Sequence, residues 1–352
     1  MFEIFIRALI IISGLSISGI GLFALYLTCM EYKPQPAEQL PIIGKSTEMP
    51  LYQKEFTFFT WNIGYGGLGS AMDFFYEGGK RVRPEKKEFE SYFNGIVHQL
   101  KESDSIDFVF LQEVDILAKR SYHVNEVTVI ADTLKNHCCL FGKNYDSRFI
   151  PIPLTDPIGR VIAGLAVYSR YRPENAQRIG YKITFPWPKR LFFLKRCFLV
   201  LHYKLDDGKS LVIINTHNST FDKEGILRKS ERVLLQHYMM TEYEKGNYVI
   251  AGGDWNNNPR DFIPSSVLTG DQVKVIDPPI ESTFLPGWPF ISDPAIPTNR
   301  DVDTPYQQGD TKTTVIDFFV VSPNVELLYV KARNNHFAYT DHNPVIMKIR
   351  LK

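Results

Sequence analysis

The stretch Tyr248-Val-Ile-Ala-Gly-Gly-Asp-Trp-Asn256 joins a short apolar run to a polar cluster. The run is rich in β-branched and aromatic residues, and two glycines separate it from an acid and an amide. This pattern predicts a buried strand, Tyr248–Ala251, whose carboxyl end presents Asp254 and Asn256. One such cluster is ordinary for a loop, so its meaning depends on whether the pattern recurs.

The pattern recurs along the chain, in short apolar runs bounded by Gly, Asp, Asn or Pro. The further predicted strands are Phe56–Trp61, Phe108–Leu111, Ala163–Tyr168, Phe198–Tyr203, Leu211–Asn215 and Val315–Val321. Apolar residues at helical spacing predict two helices, Pro84–Lys101 and Ile226–Lys245. Strands outnumber helices and no internal repeat is present. The sequence therefore favours an α/β or α+β sandwich over a regular series of βαβ units.

Polar residues follow several of these strands. They are Asn62, Glu113, His217, Asp254, Asn256, Asp317 and the pair Asp341-His342. If the strand ends meet at one rim, the rim holds four carboxylates, two amides and two imidazoles. Clustered carboxylates repel one another unless a cation lies among them. An oxygen-rich set suits Mg²⁺ or Mn²⁺, and the chain shows no Cys/His spacing typical of zinc.

The chain resembles the endonuclease/exonuclease/phosphatase superfamily in the order of six motifs. The motifs are Trp61-Asn62-Ile63, Gln112-Glu113, Thr216-His217, Gly253-Asp254-Trp255-Asn256, Ile316-Asp317-Phe318 and Asp341-His342-Asn343-Pro344. The superfamily includes DNase I-like nucleases, abasic endonucleases, neutral sphingomyelinases and inositol polyphosphate 5-phosphatases. The resemblance covers Phe56–Lys352 and implies a DNase I-like, four-layer α/β/β/α sandwich with its site at one end of two packed sheets. Other segments, such as Asp73-Phe74-Phe75-Tyr76, point to a bacterial membrane-associated branch.

The resemblance implies a metal site and a water site. Glu113 matches the principal metal ligand, and Asn62 and Asp341 would complete the environment of the metal. Asp254 and Asn256 match the motif that binds or activates the nucleophilic water and contacts the phosphate. The implied cofactor is Mg²⁺ or Mn²⁺, and the implied reaction is hydrolysis of a phosphate ester.

The resemblance also implies roles for two histidines. His342 would be a general base or a phosphate ligand, and Asp317 would orient its ring. His217 would stabilise the phosphate or assist the leaving group. The alternative for any one of these residues is a structural role.

Three arginines are candidate phosphate clamps, because a guanidinium matches phosphate oxygens in fork geometry. They are Arg300, Arg160 and Arg148, and solvated surface arginines are the alternative. Arg300 is preferred because it lies in the Pro-, Asp- and Thr-rich stretch Asp271–Thr314, a predicted surface excursion just before Asp317. The segment Phe185–Arg196 mixes aromatics with four basic residues. It fits contact with lipid headgroups or bases, or a loop leading into a buried strand.

The amino terminus predicts a membrane anchor. Ala8–Met30 has no charged residue and would rise roughly 34 Å as a helix, enough to cross a bilayer core of about 30 Å. A cleaved signal peptide and a lipoprotein acylated at Cys29 are the alternatives. We predict a transmembrane anchor over 1–30, a polar tether over 31–55 and a catalytic domain over 56–352. The positive-inside rule slightly favours an extracytoplasmic domain.

Charge and motifs limit the function without fixing the substrate. The formal net charge is +1, which gives no global attraction to nucleic acid. A nucleic acid, a phospholipid or sphingomyelin diester and a phosphomonoester all remain open as substrates, and no protein partner is predicted. A non-catalytic membrane scaffold on the same fold is the alternative from another class. Cys138 or Cys139 either pairs with Cys197 or stays a free thiol.

Overall fold

A computed structural model of the protein describes residues 2–48, 52–220, 222, 225–263 and 278–352. Within these ranges the α-helices are α1 (Phe2–Cys29), α2 (Lys86–Glu102), α3 (Glu126–Thr133) and α4 (Ile226–Glu244). Helices α2 and α4 confirm the two helices predicted from apolar spacing. Helix α2 begins at Lys86 because the side chains of Glu85 and Glu88 form a capping box around its first turn.

All seven predicted strands are present in the same ranges, although β13 begins at Asp317 and not at Val315, and eight further strands accompany them. In chain order the strands are β1 (Ala37–Gln39), β2 (Glu55–Asn62), β3 (Phe108–Ala118), β4 (Cys138–Ile150), β5 (Gly159–Ser169), β6 (Asn175–Gly180), β7 (Cys197–Lys204), β8 (Ser210–His217), β9 (Tyr248–Asp254), β10 (Phe290–Ile291), β11 (Asn299–Arg300), β12 (Thr313–Thr314), β13 (Asp317–Val321), β14 (Val325–Ala332) and β15 (Val345–Leu351).

These strands form two large sheets and one small pair. The six-stranded sheet has the order β14-β15-β2-β3-β5-β4, and the seven-stranded sheet has the order β1-β6-β7-β8-β9-β13-β10. Strands β11 and β12 form a separate pair. Two parallel pairs, β2–β3 and β8–β9, lie near the middle of the large sheets. Because parallel neighbours end at the same edge, they bring their polar carboxyl ends together.

The two sheets pack face to face through an aromatic and aliphatic core. Phe58 stacks on Phe108 within the six-stranded sheet, with ring centroids 4.9 Å apart. It meets Phe319 of the opposite sheet edge to face at 6.2 Å. Side chains alternate along a strand, so every second residue of β2, β3, β8, β9 and β13 points into this interface.

Helices cover the outer faces of both sheets. Helices α2 and α3 pack on the six-stranded sheet through a second core that includes Phe93 and Ile96. Helix α4 packs on the seven-stranded sheet through Leu235 and Met239. The result is the four-layer α/β/β/α sandwich that the sequence predicted, with mixed α and β structure and two packed sheets.

Helix α1 projects from this sandwich. It is the one helix in the described ranges that is long and apolar enough to cross a membrane, and its apolar side chains are almost entirely exposed. Leu27 is its only buried residue. So large an exposed apolar surface is unusual for a protein surrounded by water.

The segment after α1 differs from the predicted tether. Strand β1 pairs antiparallel with β6 at the edge of the seven-stranded sheet, and Ile43 forms an isolated bridge with Cys139. Thr47 exchanges backbone hydrogen bonds with Arg170 and Arg172. Residues 31–48 are therefore bound to the domain rather than spaced from it. Edge pairing was hidden in the sequence because these residues lack alternation and are rich in proline.

The structure also bears on the predicted cysteine pairing and on the predicted surface excursion. All four cysteines are free thiols, and Cys138, Cys139 and Cys197 are buried. The first part of the predicted excursion Asp271–Thr314, through residue 277, lies outside the described residues. Its later part is ordered on the domain and supplies β10, β11 and β12.

Phe58→Ala should lower the free energy of unfolding by about 3–5 kcal/mol, because it opens a cavity where the two sheets meet. Urea unfolding in detergent, followed by circular dichroism, measures the change. Tyr329→Ala is the matched control, since this ring is half exposed on β14 and should change stability by less than about 0.5 kcal/mol. Equal stability of the two variants would mean that the inter-sheet core does not hold the sandwich together.

Candidate active site

Three adjacent strands place three site residues in one row. Asp254 of β9 pairs in register with His217 of β8 on one side and with Asp317 of β13 on the other. All three are the terminal residues of their strands and point between the sheets, as the inward-facing residues of these strands do. They are buried at the end of the sandwich.

A bulge in β3 delivers Glu113 to the same end. The pairing of β3 with β5 jumps from Leu111–Ala166 to Val114–Gly164, which leaves Gln112 and Glu113 without ladder partners on that side. Glu113 has a φ of 57°, a left-handed conformation that is rare for a glutamate. Bulges re-aim side chains, and strained backbone is concentrated at functional sites. The bulge therefore turns Glu113 towards the end of the sandwich.

The loop before β15 brings Asp341 and His342 to the site. The indole of Trp61 donates a hydrogen bond to the carbonyl of His342 (2.8 Å). The hydroxyl of Thr340 donates to the Asp341 carboxylate (3.0 Å) and lies within 3.2 Å of the Asn62 carbonyl. These bonds fasten the loop to the end of β2, where Asn62 stands.

His342 is held from both ring nitrogens. Its Nδ1 lies 2.7 Å from Oδ2 of Asp317, and its Nε2 lies 3.0 Å from the Asn299 amide. Burial by itself lowers the pKa of His342, but the carboxylates of Asp317 and Asp341 raise the pKa well above its usual value. Asp317 therefore orients the ring, and the surrounding carboxylates favour its protonated form, in which Nε2 gives up the hydrogen bond that Nδ2 of Asn299 donates to it.

His217 has the opposite electrostatic environment. Burial, and then the charges of Arg196 and His342, lower the pKa of His217 well below its usual value. Its Nε2 lies 3.4 Å from Oδ2 of Asp254 and 3.8 Å from Oε1 of Glu113, whereas its buried Nδ1 has no hydrogen-bond partner in the described structure. A neutral ring with its proton on Nε2 fits these contacts. Opposite pKa shifts in neighbouring groups are typical of acid–base sites.

Asp254 is surrounded by hydrogen-bond donors. Asn62 Nδ2 donates to its Oδ2 (3.0 Å), and the backbone N–H of Asn256 donates to its Oδ1 (3.0 Å). Burial raises the pKa of Asp254 to about 6; His342 acts against this shift and Asp317 adds to it. The side chain of Asn256 donates to the carbonyl of Asn218 (2.9 Å), which fixes the loop after β9.

These side chains line one cavity of about 360 Å³. The predicted residues on its surface are Asn62, Glu113, His217, Asp254, Asn256, Asp341 and His342, while Asp317 lies behind His342. Apolar and aromatic side chains also line the cavity, and they include Ile158, Ile183, Phe185, Phe192, Phe193 and Leu194. One cavity thus contains both the polar site residues and a set of apolar side chains.

Comparison with known sequences identifies the family. The chain matches the Endonuclease/Exonuclease/phosphatase family over residues 59–342, well over half of its length. The chain belongs to this family. Members of the Endonuclease/Exonuclease/phosphatase family are hydrolases acting on phosphate ester bonds, and this chain is such an enzyme. Among proteins with curated descriptions, no match to the sequence was found.

Solved structures of the Endonuclease/Exonuclease/phosphatase family share the fold. An endonuclease/exonuclease/phosphatase from Beutenbergia cavernae is 16% identical with a TM-score of 0.53, covering 85% of this chain and 72% of that one. TDP2 from D. rerio, complexed with a single-strand DNA product, is 12% identical with a TM-score of 0.53, covering 85% and 100%. ANGEL2, a 2′,3′-cyclic phosphatase, is 14% identical with a TM-score of 0.54, covering 90% and 99%. At these identities the likeness shows the fold alone.

The acidic residues of the site fit a divalent cation, on which members of this family typically depend. Burial, and then the charge of Asp341, raise the pKa of Glu113 to about 8, as expected when carboxylates crowd without a cation. Glu113, Asp341 and the Asn62 amide supply oxygen ligands of the kind that Mg²⁺ and Mn²⁺ prefer.

A second arrangement of ligand atoms exists beside the first. Asp254, Asp317 and His342 offer ligand atoms that all lie within 4.8 Å of one another. In the 2.7 Å contact the Nδ1–H of His342 donates to the carboxylate of Asp317, and a metal bound through these two atoms would have to displace that proton. Glu113 and Asp341 could hold a cation without breaking this contact.

The structure corrects the role predicted for Arg300. Its guanidinium is buried and donates to the carbonyls of Leu68, Gly69 and Met72, among others, and it does not line the cavity. Arg300 ties β11 to the loop after β2, so its role is structural. The position of Arg300 just before Asp317 suggested a phosphate ligand, but it is the neighbouring side chain, Asn299, that contacts His342.

Arg160 and Arg148 are also away from the described cavity. Arg160 pairs with Asp146 and donates to the carbonyl of Ser147, while Arg148 is exposed. Neither is among the described residues that line the cavity.

Other charged residues, for which no catalytic role was predicted, also line the cavity. They are Arg196, Arg228, Arg120, Glu77 and Asp301. Arg196 ends the basic and aromatic segment Phe185–Arg196, whose sequence fits contact with lipid headgroups or bases, or a loop leading into a buried strand. Glu77 is buried, and burial followed by the charge of Asp341 raises its pKa to about 7. No local motif distinguished these residues from surface charges.

Mn²⁺ or Mg²⁺ should raise the melting temperature of the wild-type protein, because a ligand that binds only the folded state stabilises it. At a metal concentration of 100 times Kd the gain is about 2.7 kcal/mol. Glu113→Gln should abolish most of this gain while it keeps the fold. Differential scanning fluorimetry in detergent, with and without metal, checks the prediction. An undiminished shift in Glu113→Gln would place the metal elsewhere.

Arg196→Gln should raise KM with little change in melting temperature, because Arg196 borders the cavity and is partly exposed. Arg300→Gln should do the reverse, since it leaves the carbonyls of Leu68, Gly69 and Met72 without their buried donor and destabilises the fold by several kcal/mol. Steady-state kinetics together with thermal unfolding separate the two effects. A raised KM in a fully stable Arg300→Gln would restore that residue to phosphate binding.

Proposed function

We propose that the protein is a metal-dependent phosphodiesterase whose substrate is a membrane lipid. The observation that carries the proposal is that one cavity is lined both by Glu113, Asp254, Asp341 and two histidines and by a set of apolar side chains. A phosphate diester fits the polar site residues, and the hydrocarbon part of a lipid fits the apolar side chains. A nucleic acid would instead call for a long basic groove, and the net charge of +1 gives no sign of one.

In the proposed reaction, water attacks phosphorus in line with the leaving group, and the P–O ester bond breaks. Asp254 accepts a proton from the water. Its pKa of about 6, raised by burial, suits a base that works near neutral pH. Asn62 and Asn256 hold its carboxylate through one hydrogen bond to each oxygen.

The two histidines act on the phosphoryl group in different charge states. The His342 imidazolium, fixed by Asp317, stabilises the negative charge that develops on the phosphoryl oxygens. Neutral His217 donates from Nε2 to the phosphate or to the departing oxygen. A divalent cation held by Glu113, Asp341 and Asn62 would supply further neutralisation of the phosphoryl charge.

The site argues against a non-catalytic scaffold on the same fold. A scaffold would tolerate loss of some of the functional side chains. All eight predicted core residues are present, and they converge at one end of the sandwich although they come from separate segments of the chain.

Asp317→Asn should lower kcat by roughly 10²- to 10⁴-fold, because an amide holds His342 in place but no longer stabilises its charged form. The assay uses the full chain with Mg²⁺ or Mn²⁺ and a panel of phospholipid, sphingomyelin, phosphoinositide, DNA, RNA and a soluble generic diester. Glu113→Ala serves as the inactive control, and thermal unfolding verifies that each variant is folded.

The panel also tests the substrate class. Cleavage of a lipid that is lost in Glu113→Ala supports the proposal. Cleavage of DNA or RNA alone would replace the lipid with a nucleic acid as substrate. Wild-type activity in both Asp317→Asn and Glu113→Ala would exclude the mechanism.

A further inference from the structure

We propose that one face of the catalytic domain lies directly on the bilayer and sets the mouth of the cavity at the level of the lipid headgroups. The face consists of the end of α1, residues 148–154 at the end of β4 and in the loop that follows it, and the loop 183–193, and we call it the membrane face. The proposal requires α1 to span a membrane, but it does not require the enzyme to have any particular substrate.

The domain contacts α1 along its side as well as at its end. Phe149 meets Phe23 of α1 edge to face, with ring centroids 6.0 Å apart. The Trp187 indole donates to the hydroxyl of Thr28 (3.2 Å). Phe23 lies six residues before the end of α1, which corresponds to about 9 Å along a helix. Parts of both loops therefore lie beside the last turns of the helix rather than beyond it.

The length of α1 places those turns at the membrane surface. Its 28 residues rise about 42 Å, which exceeds the roughly 30 Å hydrocarbon core. About 20 residues counted from Ala8, which follows the charged Arg7, end near Leu27. Phe23 and Thr28 then lie in the outer part of the core and at the interface. A domain that contacts both must reach the same depth.

The loops beside α1 have the surface that this depth requires. Leu154 is 87% exposed and Trp187 is 52% exposed, and Ile152 and Ile183 are also exposed. Exposed apolar side chains on two neighbouring loops are costly in water and favourable in the interfacial zone. Tryptophan in particular is enriched at that level of a bilayer.

Basic residues lie near the same end of α1. A pocket next to the end of α1 is lined by Lys33, Arg178, Lys182, Arg190, Lys195 and Arg196. Glu31 is the only acidic residue among its lining, and it pairs with Arg190 and Lys195. Nη1 of the buried Arg178 has no hydrogen-bond partner in the described structure. This excess of positive charge fits the phosphates of anionic lipids, which attract basic residues by about 1 kcal/mol each.

The membrane face is continuous with the wall of the active-site cavity. The loop that presents Trp187 to α1 also supplies Phe185, Phe192 and Phe193 to the cavity. The loop 183–193 therefore contacts both α1 and the active-site cavity. With this loop on the bilayer, lipids of the adjoining leaflet would have access to the cavity, which agrees with the substrate class proposed above.

Fluorescence of the single exposed tryptophan tests the position of the face. Trp61, Trp255 and Trp288 are buried, so quenching from within the bilayer reports on Trp187. The full chain is reconstituted into vesicles of phosphatidylcholine and phosphatidylglycerol, with or without bromine on the upper acyl carbons. We expect brominated lipid to remove most of the emission that Trp187→Phe removes, and we expect the variant itself to be insensitive to bromine.

Two outcomes would overturn the membrane face. One is emission from Trp187 that brominated lipid leaves unchanged while aqueous iodide quenches it. The other is release of the chain from the vesicles by alkaline carbonate, because α1 would then not span the bilayer. Neither measurement depends on hydrolysis, so failure of the lipid substrate and failure of the membrane face are distinguishable.

A pair of charge substitutions gives a second, functional measurement. Leu154→Glu should lower hydrolysis of vesicle lipid several-fold and leave hydrolysis of a soluble diester unchanged. Leu327→Glu is the matched control, because Leu327 is an exposed leucine on β14, at the opposite edge of the six-stranded sheet from β4. Equal rates for the two variants on vesicles would contradict contact at Leu154.

Discussion

The alternation of side chains along the strands is the constraint on which the site depends. In β8, β9 and β13 every second residue points into the space between the two sheets, where apolar rings and aliphatic chains exclude water. His217 and Asp254 are the last residues of β8 and β9, and Asp317 is the first residue of the antiparallel β13. These three inward residues are polar and lie in one register row where the apolar core stops. The packing that stabilises the fold thereby aligns the site.

Bringing these ionisable groups together in a buried site costs electrostatic free energy and shifts their pKa values. Burial and mutual repulsion raise the pKa values of Glu113 and Asp254, while carboxylates around His342 raise the pKa of that ring. A cation at Glu113 and Asp341 would relieve the repulsion at one end, and the imidazolium of His342 relieves it at the other. Perturbed pKa values of this kind are typical of functional sites.

The same geometry connects the site to the amino-terminal helix. The loop 183–193 is a wall of the cavity on one side and a contact of α1 on the other. Strand β1 pairs with β6, so residues 31–48 follow the surface of the domain instead of forming a tether. The domain is thus fixed beside its anchor, and its orientation relative to the helix is part of the fold.

The sequence by itself determined seven of the strands, the helices α2 and α4, the apolar first helix and the polar residues near the strand ends. These follow from short-range patterns of hydrophobicity and turn residues. The family motifs then assigned roles to Glu113, His217, Asp254, Asp317 and His342, and the structure brings these five residues together. Only the tertiary structure decided which basic residues face the cavity, because a surface arginine, a buried structural arginine and a substrate-binding arginine have no distinct local pattern. Arg300 and Arg196 show the difference: the first is enclosed by carbonyls from a segment more than 200 positions away, and the second reaches the site at the end of an irregular loop. The pairing of β1 with the sheet edge and the contacts of the domain with the side of α1 likewise join distant segments, and no local pattern specifies them.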